Sequence, residues 1–377
     1  MQMKMNRFLA AGVALVLLLS VVLVGCSSET TPETPDPTTP EPSTPATPEP
    51  EEEWITIVDQ ADKVVKIPRN IERVVTIPIP FPSVFYTLAG SADMIVGMHP
   101  SSLSAVQNSI LGKVAPDLLE VPTDAISSTF EVNVEELLKL EPDVVIQWAW
   151  MTDEIAEMEA VGIPVISVDY GTQEDLEGWI RIIGQMLGKE DKAARLLAYQ
   201  HDTLEDVLAI SNTIPAEDKP TCFYFYDATI KTSAGGTYQD VWIEATGGTN
   251  VAGVIDSPLG TYNVTVGMEQ VLEWNPEILY VSNFMSLEPE DFYNNTIEGQ
   301  DWSSIDAVQN GRVYKVPLGI YRWDAPNAES PLMMKWAAMT QNSEFYNYDL
   351  EQDMKDFYSE FFNYNLSDTE IDEILNK

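Results

Sequence analysis

The sequence predicts an α/β protein of two Rossmann-like lobes joined by one long rigid helix, with a cleft between the lobes. Three observations predict it. The first is the stretch EDKAARLLAYQHDTLEDVLAIS (Glu190–Ser211). Its apolar residues Ala193, Leu196, Leu197, Leu204, Val207 and Leu208 recur three and four apart, on one helical face, and no Gly or Pro interrupts it. At about 1.5 Å rise per residue it spans roughly 33 Å, about the width of a small domain. The second is an internal duplication that flanks this helix. VEELLKLEPDVVI (134–146) matches MEQVLEWNPEILY (268–280) position for position, each a helix, a proline break and a strand. The third is the alternation of β-rich and helix-periodic segments on both sides, which implies parallel sheets wrapped by helices. In open sheets of that kind the crevice lies outside the strand carboxyl ends.

Residues 1–26 stand apart from the fold. Lys4 and Arg7 precede an apolar run over 8–24, and Leu23-Val24-Gly25-Cys26 then has the order of a lipobox, with Cys26 as the lipidated first residue of the mature chain. The alternative is a plain membrane-spanning anchor. Several acyl chains on Cys26 would hold the protein stably at the outer face of the cell membrane. Residues 27–53 are Thr, Pro and Glu with no apolar core-former, so they read as an unfolded tether. The expected organisation is then a first lobe over 54–188, the connecting helix over 189–212, a second lobe over 213–345 and an acidic helical tail over 346–377. No second long apolar run follows the first, so no further span is expected.

Within the first lobe, ITIVDQADKVVKI (55–67) alternates about a turn and reads as a hairpin. RVVTI (73–77) is a buried strand, followed by the loop PIPFPS (78–83), where Ser83 is placed as the cap of a helix that ends near Gly90. MIVGM (94–98) is a strand that ends in His99-Pro100-Ser101-Ser102. Asn133 caps the helix over 134–140, and the strand over 144–146 delivers Trp148 and Trp150. A helix over 155–161 and a strand over 164–168 lead to Asp169-Tyr170. Thr172 and Asp175 form a capping box for a helix that Gly188 stops. In the second lobe, strands are expected over 221–226, 278–281 and 313–316, and helices over 238–246, 266–274, 301–308 and 331–339. The strand over 313–316 ends in Gly319-Ile320-Tyr321-Arg322-Trp323-Asp324.

Composition excludes several functions. The formal net charge is -40, from 20 basic and 60 acidic residues, which argues against a nucleic-acid partner. Of two cysteines, one is Cys26, so Cys222 is left as a buried thiol and no intrachain disulfide or zinc cluster is expected. There is no nucleophile elbow, phosphate loop or HExxH motif, and with two histidines no His-linked triad, so the chain does not read as an enzyme. His201 falls mid-helix on the polar side and reads as a surface residue.

In the segments VKIPRNIERVVTI, VNVEELLKLEPDVVI, GIPVISVD, GKEDKAARL and AVQNGRVYKVP, taken in order, the chain resembles the substrate-binding lipoproteins of iron-siderophore, haem and cobalamin ABC importers. The resemblance covers essentially residues 54–345. It implies two lobes whose motion a rigid helix limits to small tilts. It implies a monomeric receptor that delivers its ligand to an ABC permease dimer and its ATPase. An acidic residue on each lobe then pairs with permease arginines, and the matching positions are Glu135 and Glu269, one in each repeat. The other reading of that pair is two solvated glutamates placed favourably at helix starts.

The loops expected at the cleft are rich in aromatics: Phe81, Phe130, Trp148, Trp150 and Tyr170 from the first lobe; Tyr226, Tyr238, Tyr262, Phe284, Tyr321 and Trp323 from the second. Such walls suit a bulky, partly apolar ligand, although a share of them would serve the lobe cores instead. Arg322, between Tyr321 and Trp323, is the candidate for a carboxylate or metal-bound oxygen, with a salt bridge to Asp324 as its other reading. His99 is the candidate metal ligand, with Met98 beside it; otherwise it hydrogen-bonds ligand or loop. A metal chelate, first a ferric siderophore, then haem or corrinoid, then molybdate or tungstate, is the expected ligand, with no resident cofactor.

Overall fold

In the computed structural model, residues 53–255 and 263–377 are described. Cys26, the tether and Tyr262 lie outside them. Among the described residues twelve strands follow in chain order: β1 (Trp54–Val58), β2 (Val64–Pro68), β3 (Val74–Thr76), β4 (Ile95–Met98), β5 (Val144–Trp148), β6 (Val165–Val168), β7 (Thr221–Phe225), β8 (Lys231–Ser233), β9 (Thr249–Asn250), β10 (Asn263–Thr265), β11 (Ile278–Val281) and β12 (Val313–Lys315).

Two four-stranded sheets carry the architecture, in the orders β4-β3-β5-β6 and β12-β11-β7-β9, and every pair within them is parallel. Read from the opposite edge, the second order is β9-β7-β11-β12. The two sheets therefore have one topology. The duplicated cassettes supply equivalent strands, β5 and β11, each between an earlier strand and the last one of its sheet. The duplication seen in the sequence thus extends to the whole strand order. Val74, Val144 and Ile146 enter one buried cluster and Val75, Val145 and Val165 another, because a parallel sheet is covered on both faces.

The helix Glu190–Ser211 runs unbroken for 22 residues. Its buried stripe is Ala193, Leu196, Gln200, Thr203, Val207 and Ser211. Leu197, Leu204 and Leu208 sit only partly buried at its margin. The polar Gln200 is inside because its amide donates to the Ala328 carbonyl at 3.0 Å and its oxygen accepts from Gln173 at 3.1 Å. The preceding helix, Gln173–Leu187, starts with the capping box at Thr172 and ends at Gly188 (φ 60°). It lies so close to the long helix that a Cβ on Gly184 would stand 2.7 Å from that of Ala193.

Local expectations differ in a few places. Ser83 does not cap the first helix, Phe81–Ala89; it lies inside it, and its hydroxyl donates back to the Pro80 carbonyl at 2.7 Å. Pro82 lets the helix begin earlier, since a proline fits the first turn. The helix Pro100–Asn108, the hairpin-like pair β8–β10 and the helix Pro289–Tyr293 were not expected. The region over 301–308 is helical only over Asp306–Gln309. The tail forms two helices, Leu350–Phe362 and Asp368–Leu375. No described helix is long and apolar enough to cross a membrane.

Candidate functional site

Arg322 lies in the crevice between the sheets, on the wall of two cavities there. Its turn follows β12 and closes on itself: Leu318 and Arg322 form an antiparallel bridge, and the Trp323 amide donates to the Pro317 carbonyl at 3.0 Å. The guanidinium is largely buried. It lies 4.8 Å over the Phe284 ring and 5.7 Å over Tyr226, two rings that stack on each other at 5.3 Å. Its Nε is 3.5 Å from Asp324 Oδ1. Asp324 is fully buried, and its Oδ2 accepts from Tyr224 at 2.8 Å and Ser282 at 2.7 Å. Burial opposes the Arg322 charge, but Asp324 and the surrounding tyrosines outweigh it and raise its pKa above the ordinary arginine value. The Tyr170 hydroxyl, from the first lobe, hydrogen-bonds Arg322, while burial pushes that phenol upward.

Two cavities share Arg322. One, of about 650 Å³, is lined from the first lobe by Ile79, Ser101, Ser104 and Asn108, and from the second by Phe284, Lys315 and Tyr321. The other, of about 100 Å³, is lined by Tyr170, Tyr226, Tyr238, Gln239 and Asn263. A larger hollow of about 1140 Å³ lies elsewhere, around Glu217, Arg312, Trp336 and Lys377. It draws only on the second lobe and tail, at the amino ends of β7, β11 and β12, and holds none of the expected site residues. The crevice shared by both lobes is therefore the candidate site.

The first lobe carries an aromatic ladder that reaches this crevice at Tyr170. Trp150 is 52% exposed and stacks on Trp148 at 4.8 Å; Trp148 meets Tyr170 at 5.5 Å and Trp179 at 5.9 Å. Phe81 closes the buried end against Trp179 at 5.8 Å. The structure thus brings together Tyr226, Phe284, Tyr321 and Arg322, sets Tyr238 beside them in the smaller cavity, and leaves Trp150 as the open end of the ladder.

Several expected positions are buried. Phe81 and Trp323 are wholly inside the core, because the first helix and the turn after β12 each direct one ring inward. Tyr238 is almost fully buried and donates to Ser330 Oγ at 2.7 Å. His99 is buried and caps the helix Pro100–Asn108: its Nδ1 accepts the Ser101 amide at 3.0 Å. Burial lowers its pKa, with the Ser127 carbonyl pulling weakly the other way. The ring also stacks on Phe130 at 4.3 Å, and Phe130 itself has φ +70°, a conformation rare for a bulky residue. His99 and Phe130 therefore pack as a buried pair, with His99 Nδ1 engaged and its Nε2 without a hydrogen-bond partner. Among the described residues no group of three His, Cys, Asp or Glu is placed to hold a metal ion. His201 is on the surface, 2.8 Å from Glu177.

Lys315, Ser101, Ser104 and Asn108 were not anticipated. The last three ride on the helix that follows His99-Pro100, and a proline at its first position was the available signal. Glu135 and Glu269 are both exposed in the first turns of equivalent helices, Val134–Lys139 and Met268–Trp274.

Comparison with known proteins agrees with this architecture. Residues 88–318 match the model of the periplasmic binding protein family. A periplasmic solute binding protein from Veillonella parvula is 38% identical, with a TM-score of 0.79 over 86% of this chain and 97% of that one. The molybdate-binding protein MolA of Haemophilus influenzae is 26% identical over 81% of this chain and 90% of its own length. An ABC transporter substrate-binding lipoprotein of Bacillus subtilis, YvrC, is 24% identical over 80% and 88%. The chain belongs to the periplasmic binding protein family and is a solute-binding protein of the ABC-importer kind, not an enzyme.

Proposed function

We propose that this protein captures an anionic metal chelate of the ferric siderophore class in the crevice between its lobes and delivers it to an ABC permease. One observation carries the reading: Arg322, a largely buried cation in a chain of net charge -40, lies against both interlobe cavities with two aromatic faces beside it. A guanidinium so placed donates to carboxylate, hydroxamate or catecholate oxygens. The volume of about 650 Å³ falls in the range of sites for compact organic ligands. The exposed ring of Phe284, on the wall of the larger cavity, offers apolar contact. The chelate is cargo, and no resident cofactor is invoked. Haem and corrinoid fit less well, since His99 is fully buried and lines neither interlobe cavity.

A second reading has specific support. The smaller cavity, of about 100 Å³, has the scale of a tetrahedral oxyanion, and the relative named MolA binds molybdate. Arg322 and the tyrosine hydroxyls would then supply the donors. In either case the receptor acts as a monomer tethered to the outer face of the membrane through Cys26, and Glu135 and Glu269 guide docking on the permease.

The deciding experiment is a tryptophan-fluorescence and calorimetric titration of the protein with ferrioxamine B, a ferric catecholate, cyanocobalamin, haemin and sodium molybdate. Saturable quenching by a ferric chelate alone supports the first reading. A response to molybdate alone replaces it with the second, and a response to cobalamin or haemin alone overturns both.

A further inference from the structure

Glu329 is a fully buried carboxylate that lines neither interlobe cavity. Its Oε2 accepts the Ile320 amide at 2.7 Å, and its Oε1 accepts the Tyr358 hydroxyl at 2.6 Å. It fills the inside of the turn that carries Arg322: a Cβ on Gly319 would stand 2.2 Å from either carboxylate oxygen, so only glycine fits there. Asn327 ties the same turn from the other side. Its Nδ2 donates to the Arg322 carbonyl at 3.0 Å, and its Oδ1 accepts the Glu329 amide at 2.7 Å.

Tyr358 belongs to the tail helix Leu350–Phe362. The tail reaches the turn a second time, where the Leu318 amide donates to the Ile374 carbonyl at 3.2 Å. The same tail touches the first lobe. Lys113 Nζ lies 2.9 Å from Glu373, and Phe362 stacks on Tyr86 at 6.1 Å. A segment that follows both duplicated lobes in sequence thus touches the Arg322 turn and the first lobe from each of its two helices.

We propose that the C-terminal tail positions Arg322, with Tyr358 and Glu329 as the positioning residues that hold its turn. The inference deepens the reading of Arg322 as the ligand's cationic contact and rests on it. The physical reason is donor matching. A buried carboxylate needs donors, and the loss of the Tyr358 hydroxyl leaves it short of one. The Ile320 amide, with the lesser contributions of Trp323 and the Tyr321 backbone, then holds the turn less firmly around a desolvated charge.

Two variants of the full chain test it, Tyr358→Phe and Glu329→Gln, with Arg322→Ala as control and ferrioxamine B and sodium molybdate as probes. In Tyr358→Phe, amide exchange over residues 318–325 is expected to quicken about 10-fold, the worth of one hydrogen bond. The affinity for whichever probe binds should fall by roughly 3- to 10-fold for the same reason. Glu329→Gln keeps an acceptor for Ile320 and an amide for Tyr358, so it should stay close to the parent in both. Unchanged exchange in both variants overturns the positioning role. If Arg322→Ala abolishes binding while Tyr358→Phe binds as the parent does, the inference falls and the cleft reading stands. If Arg322→Ala leaves binding untouched, the cleft reading falls, and the exchange data alone decide whether the tail holds the turn.

Discussion

Arg322 Nε stands 3.5 Å from Asp324 Oδ1, and that oxygen has no hydrogen bond, whereas Oδ2 accepts two. The pair is therefore matched in charge but incompletely matched in hydrogen bonds. Asp324 is held by Tyr224 and Ser282, so it neutralises the guanidinium without closing over it. On the proposed reading, an incoming oxyanion takes up the donors that Asp324 leaves open.

This arrangement separates stability from binding. Arg322→Ala strands a buried carboxylate, a change that typically costs about 3–5 kcal/mol. Ligand affinity should fall at least about 10-fold with the loss of a charge-assisted contact. Adding Asp324→Asn removes the stranded charge. The double variant should regain most of the melting temperature and none of the affinity. Thermal denaturation and ligand titration of the parent and the two variants check this, and recovery of affinity in the double variant would rule out direct contact between Arg322 and ligand.

Glu329 makes stability depend on pH. Burial raises its pKa from 4.5 to about 7, with Tyr358 and the Ile320 amide pulling against that rise. The folded protein holds this proton more tightly than the unfolded chain. The contribution is thus fully present below about pH 4.5 and is lost as pH rises through about 7. Its size is on the order of 3 kcal/mol. Other carboxylates titrate in the same range, so the readout is a difference. Urea denaturation of the wild type and of Glu329→Gln between pH 4.5 and 8 should show the wild type losing stability relative to the variant as pH increases. Parallel curves would mean that Glu329 is ionised throughout.

Much of this fold is legible before any coordinates, because the signals are local and repeated. The long helix is written in its period and its lack of breakers. The cassettes at 134–146 and 268–280 announce two equivalent strands, and the matching strand orders follow from them. The site is less legible. Aromatic residues near strand ends mark a crevice, but not which rings turn inward. Trp150 and Phe284 are exposed while Phe81 and Trp323 are core. Neighbouring positions in a loop can point opposite ways, and only the packing decides. His99 illustrates the same limit. A histidine at a strand end suits a ligand or a helix cap equally well, and what decides is the helix after Pro100, whose pattern is weakly periodic. Glu329 carries no signal at all in the sequence, since its partners lie 9 and 29 residues away.

The long helix should act through its register. Gln200 is bonded on both sides, to Ala328 and Gln173. Two glycines inserted after Tyr199 rotate everything beyond them by roughly 200°, given 3.6 residues per turn. Gln200, Thr203, Val207 and Ser211 would then leave their buried stripe while Ala193 and Leu196 remain. Such an insertion should lower the melting temperature strongly and impair delivery. Gln200→Leu, which keeps the register but strands the Ala328 carbonyl, should cost about 1–3 kcal/mol. Scanning calorimetry of the two proteins distinguishes register from hydrogen bonding. Equal losses would deny the helix its role as a spacer.

The equivalence of Glu135 and Glu269 gives the last prediction. Both lie one residue into helices that occupy the same place in the duplicated cassettes, and both side chains face solvent. Among the described residues neither carboxylate is in a salt bridge, unlike Glu136, which pairs with Lys139 at 2.7 Å. Their internal cost is therefore small, and replacement by lysine should leave the fold and ligand affinity within error of the parent, apart from a slight penalty for a cation at a helix start. Exposed charges of this kind steer and orient association, so the effect belongs to the encounter with the permease. Each single reversal should slow uptake into cells or proteoliposomes, and the double reversal should slow it more than either, with the deficit shrinking as salt screens the field. Uptake at the parental rate in the double variant, with binding intact, would remove both residues from the docking surface.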